Sequence, residues 1–414
     1  MIRGGWLIAC LTLLVQMPCI GCGGSGSQAT NPPTTKTTPP PSGRSYYAYI
    51  DAFNLNDNSE SLTTYSEAEA SGQLTPVGDP IGQNVNCGLI VSSDNKYLYA
   101  ESCASGLIQP YSIDPSSGKL TAVGSGTTVN IPVPSDGKIS TLVLAPNGKF
   151  AYVINENPIG INGQVAPLSE VIYSIGSDGS LTAFGTPMPL DENIGPGSLI
   201  AIAPNGDFLY IACDGVYVFS VDATTGALTE VAGSPFVPNA DPNFISPDPT
   251  SPWALVVAPS GNYLYAPDAL YSVASGTGVL TTQNFFYHDL SNLAENKGPM
   301  VLTSTGTYAY MQGVDEGWVA SFSVDTGTGE LNPTGYVAGQ DYNLSYGNLK
   351  SESPSIALDP TGAYLYALWD TSGRIGRGEV SIYSLNSTFG PLTYFGAVTG
   401  TSGTQPFEIA FATE

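Results

Sequence analysis

The feature that most limits this fold is a hairpin that returns through almost the whole chain. An apolar strand, a Pro-x-Gly turn and an aromatic strand follow one another at residues 142–152, 200–210, 255–265 and 356–366. Looser copies stand at 89–99 and 301–310. The turn pairs are Pro146/Gly148, Pro204/Gly206, Pro259/Gly261 and Pro360/Gly362. Proline presets one turn dihedral and glycine accepts a positive φ, which suits a tight turn between antiparallel strands. A second hairpin follows each first one. It runs aromatic-Ser-apolar-Asp, then a polar turn closing on Gly, as at 111–121, 219–229 and 322–331. Variants lie at 173–182, 271–281 and 383–393, with a degenerate copy at 65–75. Alternating residues around a polar, Gly-bearing turn read as a strand pair.

Two hairpins in succession make a four-stranded antiparallel blade. The turn glycines Gly148, Gly206, Gly261, Gly306 and Gly362 fall 58, 55, 45 and 56 residues apart, the spacing of propeller blades with long loops. No segment has a helical period. The second strand of the blade occurs seven times, at 46–50, 97–100, 150–153, 208–211, 263–266, 308–311 and 364–367. The first copy lacks an inner strand. The chain ends on an orphan strand, 407–411, led by Pro406 as Pro252, Pro299 and Pro354 lead other inner strands. The expected fold is therefore all-β, a seven-bladed β-propeller of four-stranded antiparallel blades. Its N- and C-terminal strands pair in one blade, and that closure removes an open sheet edge. A closed ring of this kind is expected to be a monomer.

The residues ahead of the repeat read as an export signal. Arg3 precedes an apolar run from Trp6 to Met17, too short to span a bilayer but suited to a signal-peptide core. Cys19-Ile20-Gly21-Cys22 resembles the bacterial lipobox, departing from it at Cys19, where that motif usually has Leu. The expected organisation is a lipoprotein signal peptide at 1–21, a Gly/Ser- then Thr/Pro-rich tether at 22–45, and the propeller at 46–414. The expected address is that of an exported bacterial lipoprotein at the outer membrane or cell surface, held to the membrane by a lipid on Cys22. An ordinary secretory signal cut nearby is the alternative. Export permits disulfides, and three cysteines lie beyond the anchor: Cys87, Cys103 and Cys213. A hairpin turning at Asp94-Asn95 sets Cys87 opposite Ser102, next to Cys103. A small register shift or bulge in this Pro-less turn would bring the two together. The expected pairing is Cys87–Cys103, with two separate buried thiols as the alternative and Cys213 free in either case.

Eleven Lys plus Arg against 35 Asp plus Glu give a net charge of −24. No basic cluster exists to displace counterions from a nucleic-acid backbone or to hold anionic headgroups. The acidity serves either solubility through self-repulsion or the selection of a cationic ligand. In a blade, the second strand ends on the face where the inner strand begins. The ends of the second strands carry Asp51, Glu101, Glu156, Asp214, Asp268 and Asp370. Such a ring would attract Ca²⁺ or a cationic ligand, with Glu101, Asp268 and Asp370 as candidate metal ligands. The plainer reading is solvated loop acids. No other cofactor is implied, and no Cys/His cluster offers a zinc site. Arg374 and Arg377, in a Gly-rich loop, could clamp an anion or pair with nearby carboxylates. His288, the only histidine, is a candidate base or a surface residue. Trp253, Trp369 and Phe407 are either an aromatic ligand platform or core.

The two hairpins, with the trailing Gly233-Ser-Pro-Phe236, resemble the seven-bladed propeller lactonase family, which includes 6-phosphogluconolactonases and muconate-type cycloisomerases. The resemblance runs from about Tyr46 to Phe411. These motifs specify blades and turns, not chemistry. The family implies His residues just after the prolines that lead inner strands, with Arg and Glu lining the pore. Here those positions hold Trp253, Met300, Ser355 and Phe407. Opening a lactone needs an activated water and a stabilised oxyanion. The expected function is a binding or scaffold module for a small molecule, glycan or protein at the pore face. The alternative is a lactonase or cycloisomerase relying on Arg374, Arg377 and Glu101, with His288 as a further candidate.

Overall fold

A computed structural model describes residues 44–54, 59–82, 88–102, 105–128, 142–155, 169–190, 194, 199–213, 215–237, 254–267, 269–284, 297–313, 318–338, 355–369, 379–385, 392–399 and 404–414. They form seven antiparallel sheets. Blade 1 combines both ends of the chain: β1 (Tyr46–Asn54), β2 (Ser59–Ala68), β3 (Gln73–Pro76) and the last strand, β30 (Thr404–Thr413), in the order β3-β2-β1-β30. A short β4 (Ile81–Gly82) also pairs with β2. Blade 2 is β5 (Gly88–Val91), β6 (Tyr97–Ser102), β7 (Leu107–Ile113) and β8 (Leu120–Ala122), with β9 (Thr127–Thr128) added to β7. Blade 3 is β10 (Leu142–Leu144) to β13 (Leu181–Pro189), and blade 4 is β14 (Leu199–Ile202) to β17 (Leu228–Glu230). Blade 5 is β18 (Val256–Val257) to β21 (Leu280–Asn284), and blade 6 is β22 (Lys297–Leu302) to β25 (Leu331–Ala338). Blade 7 is β26 (Ser355–Leu358), β27 (Tyr364–Trp369), β28 (Glu379–Leu385) and β29 (Leu392–Thr399). The expected blade count, strand order and terminal closure are all present. The additions β4 and β9 carry too little pattern at two residues each to be read from sequence.

The turns follow from local chemistry. Asp114 Oδ1 accepts the backbone N–H groups of Ser116 and Ser117 at 2.9 and 3.0 Å, and Asp222 Oδ1 accepts those of Thr224 and Thr225 at 2.8 and 2.9 Å. An Asp that bonds its own backbone two residues on creates the turn, which is why it recurs at this place in the second hairpin. The Ser116 and Ser117 side chains, then these backbone bonds, hold the Asp114 carboxyl below the usual carboxylate range, and the Thr225 and Thr224 N–H groups do so for Asp222. In blade 2 the turn has no proline or glycine. Asn95 takes the positive φ, at 58°, a conformation Asn tolerates better than most residues. The pairing here runs without a shift, Gly88 opposite Glu101 and Leu89 opposite Ala100. The bulge entertained for this turn is thus absent from the described pairs.

Seven apolar clusters each join two successive blades and so close the ring. One tyrosine of each second strand lies in the cluster shared with the next blade: Tyr49, Tyr99, Tyr152, Tyr210, Tyr265, Tyr310 and Tyr366, all at most 1% exposed. Several reach across it. The Tyr49 hydroxyl donates to the Gly118 carbonyl at 3.0 Å, Tyr152 to Gly226 at 3.2 Å and Tyr265 to Gly329 at 2.9 Å. At the closure, Tyr366 of blade 7 lies 2.7 Å from the Gly72 carbonyl of blade 1.

The same glycines are fixed by steric contact. Gly226 has φ +71°, and a Cβ there would lie 2.7 Å from the Phe150 ring of the preceding blade. Gly261 has a similar φ, +73°, with nothing within 4 Å of a Cβ. Gly261→Ala should therefore lose only the backbone term, about 1–2 kcal/mol. Gly226→Ala should lose that and a further 1–3 kcal/mol or so for overpacking. Urea unfolding of the two variants checks the difference, and equal losses would contradict the blade-to-blade stacking.

Candidate functional site

In all seven blades the second strand ends at the face where the inner strand begins, and the connections between blades start from that face. The short turns lie on the opposite one. Two residues after each buried tyrosine, toward this connector face, stand Asp51, Glu101, Ile154, Ala212, Pro267, Gln312 and Leu368. Polar residues thus occupy blades 1, 2 and 6.

Asp51 and Glu101 are not solvated loop acids. Asp51 is 0% exposed and Glu101 is 1% exposed, both inside their strands. Asp51 stands directly opposite Glu408 in the β1–β30 pair and opposite Leu62 in the β1–β2 pair. Glu60, two residues from Leu62, shares that face of the sheet. The Asp51 carboxylate makes no hydrogen bond of regular geometry, though the adjacent Ala52 N–H lies close enough to pull its carboxyl down slightly, and Glu60 Oε2 and Glu101 Oε1 lack a partner. Glu101 Oε2 accepts the backbone N–H of Leu142, at the start of blade 3, at 3.3 Å. Burial, then repulsion from Glu60 and Glu408, raises the Asp51 carboxyl well above its usual range. Burial raises Glu101 to about 8, against one opposing hydrogen bond. Glu408 is also pushed up to about 8, by burial and then by Glu101. Burial likewise raises Glu60. Glu101 and Glu408 therefore hold protons at neutral pH and can donate them, because a protonated carboxyl is a hydrogen-bond donor and a general acid.

The closure itself carries a bulge. Asp51 faces Glu408 and Ala52 faces Pro406, so Phe407 is the extra residue of β30. Bulges re-aim strands at barrel rims and near sites. On blade 6, Gln312 is fully buried. Its Nε2 donates to the Leu368 carbonyl at 2.7 Å, and its Oε1 has no partner. On blade 7, Trp369 is buried at the 6–7 interface with its Nε1 donating to Ser381 Oγ at 3.0 Å. Trp369 is thus core, not platform. Met300 and Ser355, which follow inner-strand prolines, are buried as well.

The remaining expected site residues lie outside the described ones: Cys22, Cys87, Cys103, Glu156, Asp214, Trp253, Asp268, His288, Asp370, Arg374 and Arg377, with the side chain of Phe407. Cys213 is half-buried and in no disulfide. Among the described residues, no group of three or more His, Cys, Asp or Glu is arranged to hold a metal ion. Glu60, Glu408 and Gln312 were not foreseen. Glu408 was visible beside Phe407, but no turn joins β1 to β30, so nothing local set its register against Asp51.

Comparison with solved structures shows the same fold. A protein described as a candidate 6-phosphogluconolactonase from Bacteroides fragilis superposes with a TM-score of 0.65 at 19% identity, covering 90% of this chain and 99% of that one. The periplasmic gluconolactonase of Pseudomonas aeruginosa gives 0.63 at 18% identity, over 89% of this chain and 99% of that one. A similar candidate 6-phosphogluconolactonase from Bacteroides uniformis gives 0.64 at 17%, over 89% and 99%. The lactonase-like propeller that the hairpins resembled is thus the architecture found. No family model and no curated protein sequence matches the chain.

Proposed function

We propose that this protein is an exported, lipid-anchored propeller that binds a small molecule, glycan or protein at its connector face without opening lactones. The observation that carries this reading is the composition of the described site. Asp51 is raised by burial, then by Glu60 and Glu408, and Glu408 by burial and then Glu101, and among the described residues no basic side chain acts on these four acids. A developing oxyanion calls for positive charge or preorganised donors aimed at it. Carboxyls set against one another, with no basic side chain acting on them among the described residues, offer no positive charge for an oxyanion. A thermal-shift screen of the full chain in detergent against sugars, amines and peptides tests the reading. The expected result is a stabilising ligand whose effect is lost in Glu101→Gln. A lactone turned over by the protein would contradict it.

The second reading is lactone hydrolysis or cycloisomerisation. It draws on the neutral carboxyls of Glu101 and Glu408, which could protonate the alkoxide that leaves an opening ring. Arg374 and Arg377 would hold the oxyanion, and His288 would serve as the base. The fold shared with a periplasmic gluconolactonase is consistent with it, but a fold shared at this identity does not carry an activity.

The address rests on Gly21-Cys22 and the spacer behind them. Cys22→Ala should leave the protein unprocessed or release it from the membrane fraction. Normal maturation and membrane fractionation of that variant would show that Cys22 is not the anchor.

A further inference from the structure

Blade 1 has no turn between its inner and second strands. In the other blades a short turn holds that place, as between β14 and β15, where Ile202 pairs with Leu209. In blade 1 the two chain ends stand there instead. Thr413, the last residue of β30, pairs with Tyr46, the first of β1, and the Glu414 N–H donates to the Ser45 carbonyl at 3.0 Å. The short turn of blade 2 lies beside them, with Asn95 Nδ2 donating to Thr413 Oγ1 at 3.1 Å. Arg44 and Glu414 are both exposed. The chain therefore joins the propeller at the turn face, the one opposite the connectors.

The reach of the segment ahead of Arg44 decides how such a domain sits on a membrane. Between Cys22 and Arg44 lie 21 residues, Gly23 to Gly43. A Gly/Ser-rich coil of that length has an r.m.s. span of about 25–30 Å. Turning the connector face to the bilayer would route the tether outward past β2 and β3, about 10 Å, and then along the nine residues of β1, about 30 Å. That path of about 40 Å is longer than the span, and it has yet to clear the connectors. With the turn face inward, the tether needs no detour. Exposed Asp94, Asp114, Asp178, Asp222 and Asp325 on the turn face repel an anionic surface. The repulsion acts within about 8 Å at physiological salt, well short of the tether's span, so it holds the face off the headgroups without turning the domain over.

We propose that the turn face is the membrane-proximal face, and that the connector face opens away from the bilayer to ligands arriving through the aqueous phase. The proposal rests on the lipid-anchor reading and deepens the binding-module one, because it selects water-borne ligands over lipids of the anchoring leaflet.

The test is energy transfer in vesicles. The full chain, matured in cells and purified in detergent, is reconstituted into phosphatidylethanolamine–phosphatidylglycerol vesicles carrying a headgroup-bound acceptor. A fluorescent non-canonical residue replaces either Ala223, in an exposed turn of blade 4, or Val237, 60% exposed at the connector end of the same blade. Val237 follows Phe236, which bridges to Val216 at the start of β16 (Val216–Val221), so the six residues of β16 set the two positions about 20 Å apart in height. The expected result is about twofold or more transfer from position 223 over position 237, given that difference in height. Duplicating residues 23–43 should shrink the difference. Equal transfer from both positions, or more from 237, in protein that floats with the vesicles overturns the proposal and leaves the anchor standing. A difference that duplication leaves unchanged also overturns it, because the tether would not set the orientation. If Cys22→Ala floats with the vesicles and transfers as its parent does, the anchor reading falls and the orientation falls with it.

Discussion

Removing residues 404–414 should abolish cooperative unfolding and leave an aggregating chain. The β1–β30 pair runs from Tyr46 opposite Thr413 to Asn54 opposite Thr404, and among the described residues it alone supplies an inner strand for blade 1. The deletion also removes Ile409 from the 7–1 cluster and Ala412 from the 1–2 cluster. What remains is a nine-residue strand, β1, with an open edge and mostly apolar side chains. Such an edge pairs with other chains. A net stability of about 5–15 kcal/mol for a whole domain cannot absorb the loss of a full strand at two interfaces. Loss of the sigmoidal thermal transition by circular dichroism is the expected result. A melting curve like that of the intact chain would show that the ring does not depend on its terminal strands.

Stability should fall steadily as pH rises from about 5 to 9, the reverse of what a protein held by salt bridges shows. Glu67, Glu101 and Glu408 are each raised from 4.5 to about 8, and Asp51 is raised well above 3.8. A folded-state pKa above the unfolded one means that the native state holds the extra proton. The resulting stability is fully present below the unfolded pKa and is lost as pH climbs through the folded pKa. For the three glutamates that window runs from about 4.5 to about 8. Burial, then repulsion from Asp359, raises Glu67, against the hydrogen bond that the Tyr366 hydroxyl donates to its Oε1 at 2.9 Å. At about 1.4 kcal/mol per pKa unit, ionising these groups together should remove several kcal/mol. Urea midpoints across the range check this, and Glu101→Gln should flatten the slope and raise stability at the alkaline end. A flat or rising profile would contradict the buried protons. The turn aspartates Asp114 and Asp222 act in the opposite sense, but only as pH falls through the ordinary carboxylate range.

The blades were legible because their information is local. Pro204 and Gly206, or Asp222 and Gly226, fix a turn within a few residues, and the turn fixes the register of the strands beside it. The closure was legible by subtraction, from a first blade without an inner strand and a last strand without a blade. Burial at the site was not legible, because it is set between elements. Asp51 looked like a strand-end acid, yet β1 continues three residues beyond it to Asn54. Blade 2 closes over Asp51 through the 1–2 cluster. Its pairing with Glu408 joins residues 357 positions apart, 408 less 51, with no turn to announce it. The sparse charge also misled. Eleven basic residues against 35 acidic ones favour solvated acids as the default, whereas these acids avoid the need for a cation by keeping their protons.

Lactone turnover by the full chain is the most direct test of the central claim, that the connector face binds through a nest of protonated acids and does not open lactones. Hydrolysis of gluconolactone and 6-phosphogluconolactone should proceed at the buffer rate, identical for wild type, Glu101→Gln and Arg374→Ala. Turnover above the buffer rate that disappears in either variant would contradict the account and place the chemistry of lactone opening at this face.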